Sequence, residues 1–141
     1  MIKITAEAMC AMIAHAQADA PIEACGYLAA SNGIAVDSIR LTNVDHSPEH
    51  FSLDPVEQFA AARTIRKNGR QLQAVYHSHP ASPARPSQED IRLAFDSSLS
   101  YVIVSLAGTE PVVKLFSIRN GVVTPEPIEI VQSTQEPNHV L

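Results

Sequence analysis

Apolar side chains recur along this chain at two spacings, and the switches between them lay out its elements. Ile2 and Ile4 alternate with polar neighbours, the period of a short edge strand. From Ala6 the period lengthens. Met9, Met12, Ile13 and Ala16 share one face of a helix predicted over residues 6–18, with Thr5 as its cap and Pro21 marking the turn beyond it. Residues 22–30 read as a strand, Ser31-Asn32-Gly33 as a hairpin turn and residues 34–41 as the partner strand. A polar loop over 43–53 carries Phe51 near its end. Asp54-Pro55 opens a second helix: the carboxylate accepts from free N–H groups of the first turn, and proline needs no donor there. Val56, Phe59, Ala60 and Ile65 are its expected apolar face, and Asn68-Gly69 its stop.

Residues 72–78 predict a strand, and the loop over 80–86 contains Pro80, Pro83 and Pro86. Ser87 is placed to cap a short helix running through Ile91 to Phe95. Residues 100–106 are apolar and β-branched, as a central strand requires. Residues 112–119 and 122–131 predict two more strands around Asn120-Gly121. The polar stretch 132–141 is expected to be a frayed tail. The order of elements gives an α+β fold: one domain over residues 1–131, with a mixed, largely antiparallel β-sheet flanked by helices.

Composition narrows the function classes. A chain of 141 residues with 45% hydrophobic content can bury one sizeable core. No stretch approaches the roughly 20 apolar residues of a membrane span, so no membrane role is expected. The net charge of -5 argues against general nucleic-acid binding, which needs basic surface. The cysteines Cys10 and Cys25 form no CxxC pair and no disulfide framework, so a reducing cytoplasm is the expected location. Lys3 and the run from Ala8 to Ala14 faintly resemble a signal peptide, but Glu7 breaks the pattern and an amphipathic helix fits better.

The chemistry is concentrated in Tyr76-His77-Ser78-His79-Pro80 and Ser87-Gln88-Glu89-Asp90. Histidines at i and i+2 of a strand point to one face, so both imidazoles can reach one ion. Pro80 turns the chain away, and the loop can return Asp90 from the start of the next helix as a third ligand. Three protein ligands with one open position describe a catalytic zinc site, one ion per chain; a structural site would be closed by four. Glu23 is the candidate base for the attacking water, and Ser87 the candidate donor to a developing oxyanion. Two plainer readings stand beside this one. His77 and His79 could be polar strand residues alone, and Ser87-x-x-Asp90 also fits a helix capping box. Glu89 is a fallback ligand. Cys25 reads as a small buried residue, Cys10 as core and His15 as helix surface. His46 and His50 read as solvated loop, and Arg63, Arg66, Lys67 and Arg70 as a solvated face, with docking of an acidic partner as the lesser alternative.

A Glu upstream, then His-x-His-Pro, six residues, Ser, two residues and Asp is the pattern filled here by Glu23, His77, His79, Pro80, Ser87 and Asp90. In this the sequence resembles the JAMM or MPN-plus (Mov34/MPN/PAD-1) metallopeptidases, over about residues 2–118. The resemblance implies a zinc-bound sheet domain with cytidine-deaminase-like layering. It implies His77, His79 and Asp90 as ligands, Glu23 as acid/base and Ser87 as oxyanion partner. The short segment between Ala24 and Tyr76 resembles the compact, stand-alone prokaryotic members. Their implied substrate is a small ubiquitin-fold sulfur-carrier protein of the ThiS or MoaD type, cleaved at a peptide or isopeptide bond after its C-terminal Gly-Gly. The alternatives are a deubiquitinase-like isopeptidase and a non-catalytic MPN scaffold or binding module. A zinc deaminase would need a Pro-Cys-x-x-Cys run, which this chain does not have. The sequence leaves the oligomeric state open, a homodimer included.

Overall fold

A computed structural model describes residues 1–94 and 96–132. Its strands are β1 (Ile2–Thr5), β2 (Cys25–Ser31), β3 (Ile34–Leu41), β4 (Gln71–His79), β5 (Ser100–Ser105), β6 (Val112–Arg119), β7 (Val122–Glu126) and β8 (Ile128–Val131). Three helices, α1 (Ala6–Asp19), α2 (Pro55–Lys67) and α3 (Gln88–Arg92), complete the described elements. The strands form one sheet in the order β7-β6-β5-β4-β2-β3-β1-β8. Its β1–β3, β1–β8 and β4–β5 pairs are parallel and the others antiparallel, so the α+β, mixed-sheet expectation holds.

The expected strand over 122–131 is in fact two. β7 and β8 occupy opposite ends of the sheet order, yet only Pro127 separates them. The sheet has therefore curled until its two ends meet. Proline has no N–H to continue the β6–β7 ladder, and its carbonyl accepts instead from Ile2 N at 3.2 Å, which starts the pairing with β1.

Thr5 caps α1 by accepting from Ala8 N at 3.1 Å. Met9, Met12 and Ala16 bury as their spacing requires, against Ile4, Leu28, Tyr76, Val102 and Leu115. Each large side chain so buried contributes about 1.5–3 kcal/mol. Two expectations for α1 fail. His15 is buried, three residues from Met12 on the inner face, where its Nδ1 meets the Tyr76 hydroxyl at 2.6 Å and its Nε2 meets Asp19 at 3.0 Å. Cys10 falls on the outer side and is exposed. Tyr76 reaches His15 across Gly26, where a Cβ would stand 2.3 Å from the Ile39 carbonyl oxygen and 2.5 Å from the tyrosine ring.

The second helix also turns differently from expectation. Ala61 and Ile65 pack against Tyr27, Leu41, Leu72 and Val75, while Val56, Phe59 and Ala60 face solvent. Polar anchors decide the rotation. The Glu57 carboxylate accepts from Thr42 N at 2.7 Å and Thr42 Oγ1 at 3.0 Å, and Gln58 donates to the Tyr27 hydroxyl at 3.1 Å. These bonds press one polar side of the helix toward the sheet and leave the apolar stripe outside. The expected strand over 22–30 starts only at Cys25, so Glu23 lies in the segment that leads into β2. Phe95, the expected end of the third helix, lies outside the described residues, as does most of the expected tail (133–141).

Candidate metal centre

Strand β4 sorts its side chains by alternation. Tyr76 and Ser78 turn toward α1, while Val75, His77 and His79 turn toward α2. The loop after Pro80 then brings α3 back over the end of β4. Nε2 of His77, Nε2 of His79 and Oδ2 of Asp90 converge, with separations of 3.1 Å between the imidazoles and 3.1 and 3.2 Å from them to the carboxylate. Among the described residues these three form the one such group of candidate ligands, and Glu89 is not part of it. Donors about 2.0–2.1 Å from a tetrahedral zinc ion stand about 3.3 Å from one another, so the triangle has the size such an ion needs.

The hydrogen bonds around His79 argue for a cation. Its Nδ1 donates to the Pro83 carbonyl oxygen at 2.8 Å, and a carbonyl can only accept. The proton of the neutral ring is thereby fixed on Nδ1, and Nε2 presents a lone pair to the Asp90 oxygen and the His77 nitrogen. The His79 and Asp90 lone pairs this close repel unless a proton or a metal ion lies between them. A proton on either imidazole would also relieve that repulsion. Burial lowers the His79 pKa, but the Asp90 and Pro83 hydrogen bonds outweigh it and hold it above its ordinary value. Burial likewise opposes the Asp90 carboxylate, yet hydrogen bonds from His77, His79 and Ser87 hold its pKa far below the usual range.

Capping and ligand geometry coexist at Asp90. Its Oδ2 accepts from Ser87 N at 2.8 Å while facing both imidazoles, and its own N–H donates to Ser87 Oγ at 2.9 Å. The capping box and the candidate ligand set are therefore one arrangement. Ser87 is exposed, and among the described residues its Oγ serves only as an acceptor, which leaves its hydroxyl hydrogen to donate.

Glu23 reaches the same place from another part of the chain. Cys25 is paired with His77, and Ser78 N donates to the Ala24 carbonyl at 2.9 Å, so continuing the register sets Glu23 opposite His79. The side chain is 3% exposed, and its Oε1 has no hydrogen-bond partner among the described residues. Burial, then the carboxylates of Asp90, Glu89 and Glu49, pushes its pKa up to about 8, against the lowering effect of His79.

Residues 5–119 match the family described as prokaryotic homologs of the JAB domain. The chain belongs to this JAB family. It is 36% identical to the CysO-cysteine peptidase of Mycobacterium tuberculosis, over 94% of this chain and 92% of that protein. It is 38% identical to a probable TtuB-protein conjugate cleaving protease of Thermus thermophilus, over 57% of this chain and 55% of that protein. A protein of Desulfitobacterium hafniense, solved in solution, superposes with a TM-score of 0.85 at 46% identity, covering 99% of this chain and 97% of that one. The structure described as JAMM, a metalloprotease-like zinc site in the proteasome and signalosome, shares the fold: TM-score 0.62, 20% identity, 94% of this chain and 99% of that one.

Two residues of this JAB domain shape the site without having been expected to. Phe51 stacks on His77 with ring centroids 4.7 Å apart and planes 29° from parallel. Asn43, buried in the loop, accepts from Asp45 N and Ser52 N and donates to the carbonyls of Glu23 and His50 at 3.1 and 3.0 Å. One amide thus ties the backbone of Glu23 to the loop that carries Phe51. Phe51, a lone aromatic in a polar loop, was the available signal; Asn43 gave none. Cys25 is a buried small residue, and His46 and His50 are exposed. A cavity of about 500 Å³ opens beside His77 and Asp90, walled by Phe51, Leu53, Gln58, Tyr101 and others. No described helix is long and apolar enough to cross a membrane.

Proposed function

We propose that this JAB domain is a zinc metallopeptidase that cleaves the peptide or isopeptide bond after the C-terminal Gly-Gly of a small ubiquitin-fold sulfur-carrier protein. His77, His79 and Asp90 hold the ion. The observation that carries this reading is the forced His79 tautomer, which aims a lone pair at the other two donors. Bound zinc supplies Lewis-acid chemistry, acidifying water and polarising the scissile carbonyl.

The chain's own residues do the rest. Glu23 takes a proton from the attacking water as the new C–O bond forms, then gives it to the leaving nitrogen as the C–N bond breaks. Burial raises the pKa of this carboxyl, which strengthens it as a proton acceptor. Ser87 donates its free hydroxyl hydrogen to the carbonyl oxygen as charge develops there. The cavity beside His77 receives the extended tail of the substrate. The relatives named for CysO-cysteine and for TtuB-protein conjugates support a carrier protein with a C-terminal adduct as the substrate. The exposed free thiol of Cys10 and the buried free thiol of Cys25 support a reducing cytoplasm. All five site residues come from one chain, so a homodimer would not be needed to complete the site.

Zinc-loaded protein incubated with a carrier–cysteine adduct and with C-terminally extended carriers, followed by mass spectrometry, tests the substrate. Cleavage after Gly-Gly is expected; cleavage of unrelated peptides with none of these would overturn it. Glu23→Gln should retain zinc and lose turnover. His77→Ala should lose zinc on dialysis, and unchanged metal content would show that the ligands are others.

A further inference from the structure

Glu23 lies just outside the sheet. β2 starts at Cys25, so no strand ladder holds the residue that takes and returns the proton. Its Oε1 has no hydrogen-bond partner among the described residues, so no such bond fixes that end of the side chain. The backbone is gripped instead, from two distant parts of the chain. Glu23 N donates to the Ser47 carbonyl oxygen at 2.9 Å, and the Glu23 carbonyl oxygen accepts from Asn43 Nδ2 at 3.1 Å. The same buried amide closes its own loop: Nδ2 also donates to the His50 carbonyl oxygen at 3.0 Å, and Oδ1 accepts from Asp45 N at 3.1 Å and Ser52 N at 3.2 Å. The next peptide is gripped from β4. Ala24 N donates to Ser78 Oγ at 2.7 Å, and the Ala24 carbonyl oxygen accepts from Ser78 N at 2.9 Å. Ser78 is buried and stands between the two histidines, with its side chain on the other face of the strand.

We propose that Asn43 and Ser78 are positioning residues for Glu23. Each acts on the reaction through the Glu23–Ala24 backbone. This rests on the peptidase reading above and adds what fixes its base. The arrangement makes the parts of the site depend on one another. Ser78 shares a strand with His77 and His79, so β4 places the ion and the base together. Asn43 bonds Ser52 N, and Phe51, Ser52 and Leu53 wall the cavity beside His77, so the same amide sets the base against the wall that receives the tail. Proton transfer needs heavy atoms within hydrogen-bond reach, and a displacement of about 1 Å can cost about 100-fold in rate.

The test uses zinc-loaded wild type, Asn43→Ala and Ser78→Ala, with Thr5→Ala as a control that removes a helix cap remote from the site. Two substrates are compared: a carrier ending in Gly-Gly-Cys, and the same carrier ending in a Gly-Gly arylamide. The arylamine is a weakly basic leaving group and depends less on a delivered proton. Both variants are expected to lose ~10- to 100-fold in kcat on the cysteine adduct and several-fold less on the arylamide. For Ser78→Ala, KM and zinc content should stay at wild-type values, because its hydroxyl touches neither the groove nor the ligand atoms. Amide hydrogen exchange gives a readout apart from turnover: Glu23 N–H in Asn43→Ala and Ala24 N–H in Ser78→Ala should exchange faster, while the Tyr76 amide in the β4 ladder stays protected. Should Asn43→Ala fail to fold by circular dichroism, Ser78→Ala carries the same comparison. Wild-type kcat in folded variants, equal losses on both substrates, or the same loss in Thr5→Ala overturns the positioning role and leaves the peptidase reading standing. Wild-type protein that cleaves neither substrate overturns the peptidase reading, and the positioning role with it.

Discussion

Glu23 should make the metal-free protein lose stability as pH rises, and Glu23→Gln should abolish most of that loss. The carboxyl is almost fully buried, one of its oxygens has no partner among the described residues, and its pKa is raised from 4.5 to about 8. A group whose pKa is higher folded than unfolded contributes stability that is fully present below the unfolded value and is lost as pH climbs to the folded one. Between pH of about 4.5 and 8 the loss is about 1.4 kcal/mol per unit, reaching about 5 kcal/mol at the upper end. That is a large part of the roughly 5–15 kcal/mol that holds a domain of this size together. Urea unfolding of chelator-treated wild type and Glu23→Gln across this range, read by linear extrapolation, measures the difference directly. The glutamine variant should gain on wild type with rising pH and level off above about 8. Zinc should flatten the wild-type curve, because a nearby cation favours the carboxylate. A wild-type-minus-variant difference that does not change with pH would refute the argument.

Three further outcomes follow from single contacts. Gly26→Ala should destabilise the fold by at least about 3 kcal/mol in urea melts, because its Cβ would meet the Ile39 carbonyl as well as the Tyr76 ring, and backbone cannot yield as a side chain can; a loss under 1 kcal/mol would contradict the packing. Tyr76→Phe should cost about 1–3 kcal/mol by leaving the His15 Nδ1 without its partner, while zinc affinity stays unchanged because the ring points away from the metal centre. Phe51→Ala should weaken zinc binding about 10-fold in competition with a chromogenic chelator, since the stack on His77 holds that imidazole in place; Phe51→Trp should restore most of it.

What could be read from the sequence was what adjacent residues decide among themselves. Thr5, Asp54 and Ser87 cap the helices they were expected to cap, because a cap is a bond between near neighbours. Strand alternation set His77 and His79 on one face, and the loop length let Asp90 return to them. The failures concern choices settled by distant partners. The rotation of α2 depends on Thr42 and Tyr27, and α2 has two competing stripes, so hydrophobic spacing alone selected the wrong one. His15 is buried because Tyr76, 61 residues away, offers a hydroxyl. The strand over 122–131 divides because β1 supplies a second sheet end for Pro127 to reach.

Asp90 draws these two kinds of information together. As a capping residue it is fixed locally: Ser87 N–H holds Oδ2, and the Ser87 hydroxyl holds Asp90 N–H. As a member of the triangle it depends on β4, which lies beyond a loop of three prolines. The cap removes freedom from the carboxylate before the histidines meet it, so less ordering remains to be done when a cation arrives. Ser87→Ala therefore tests two things at once, and they separate by assay. Loss of the cap should lower zinc affinity, because Oδ2 is less well placed; loss of the hydroxyl donor should lower kcat even at saturating zinc. If saturating zinc restored full turnover, Ser87 would be a positioning residue for Asp90, and the oxyanion would need another donor.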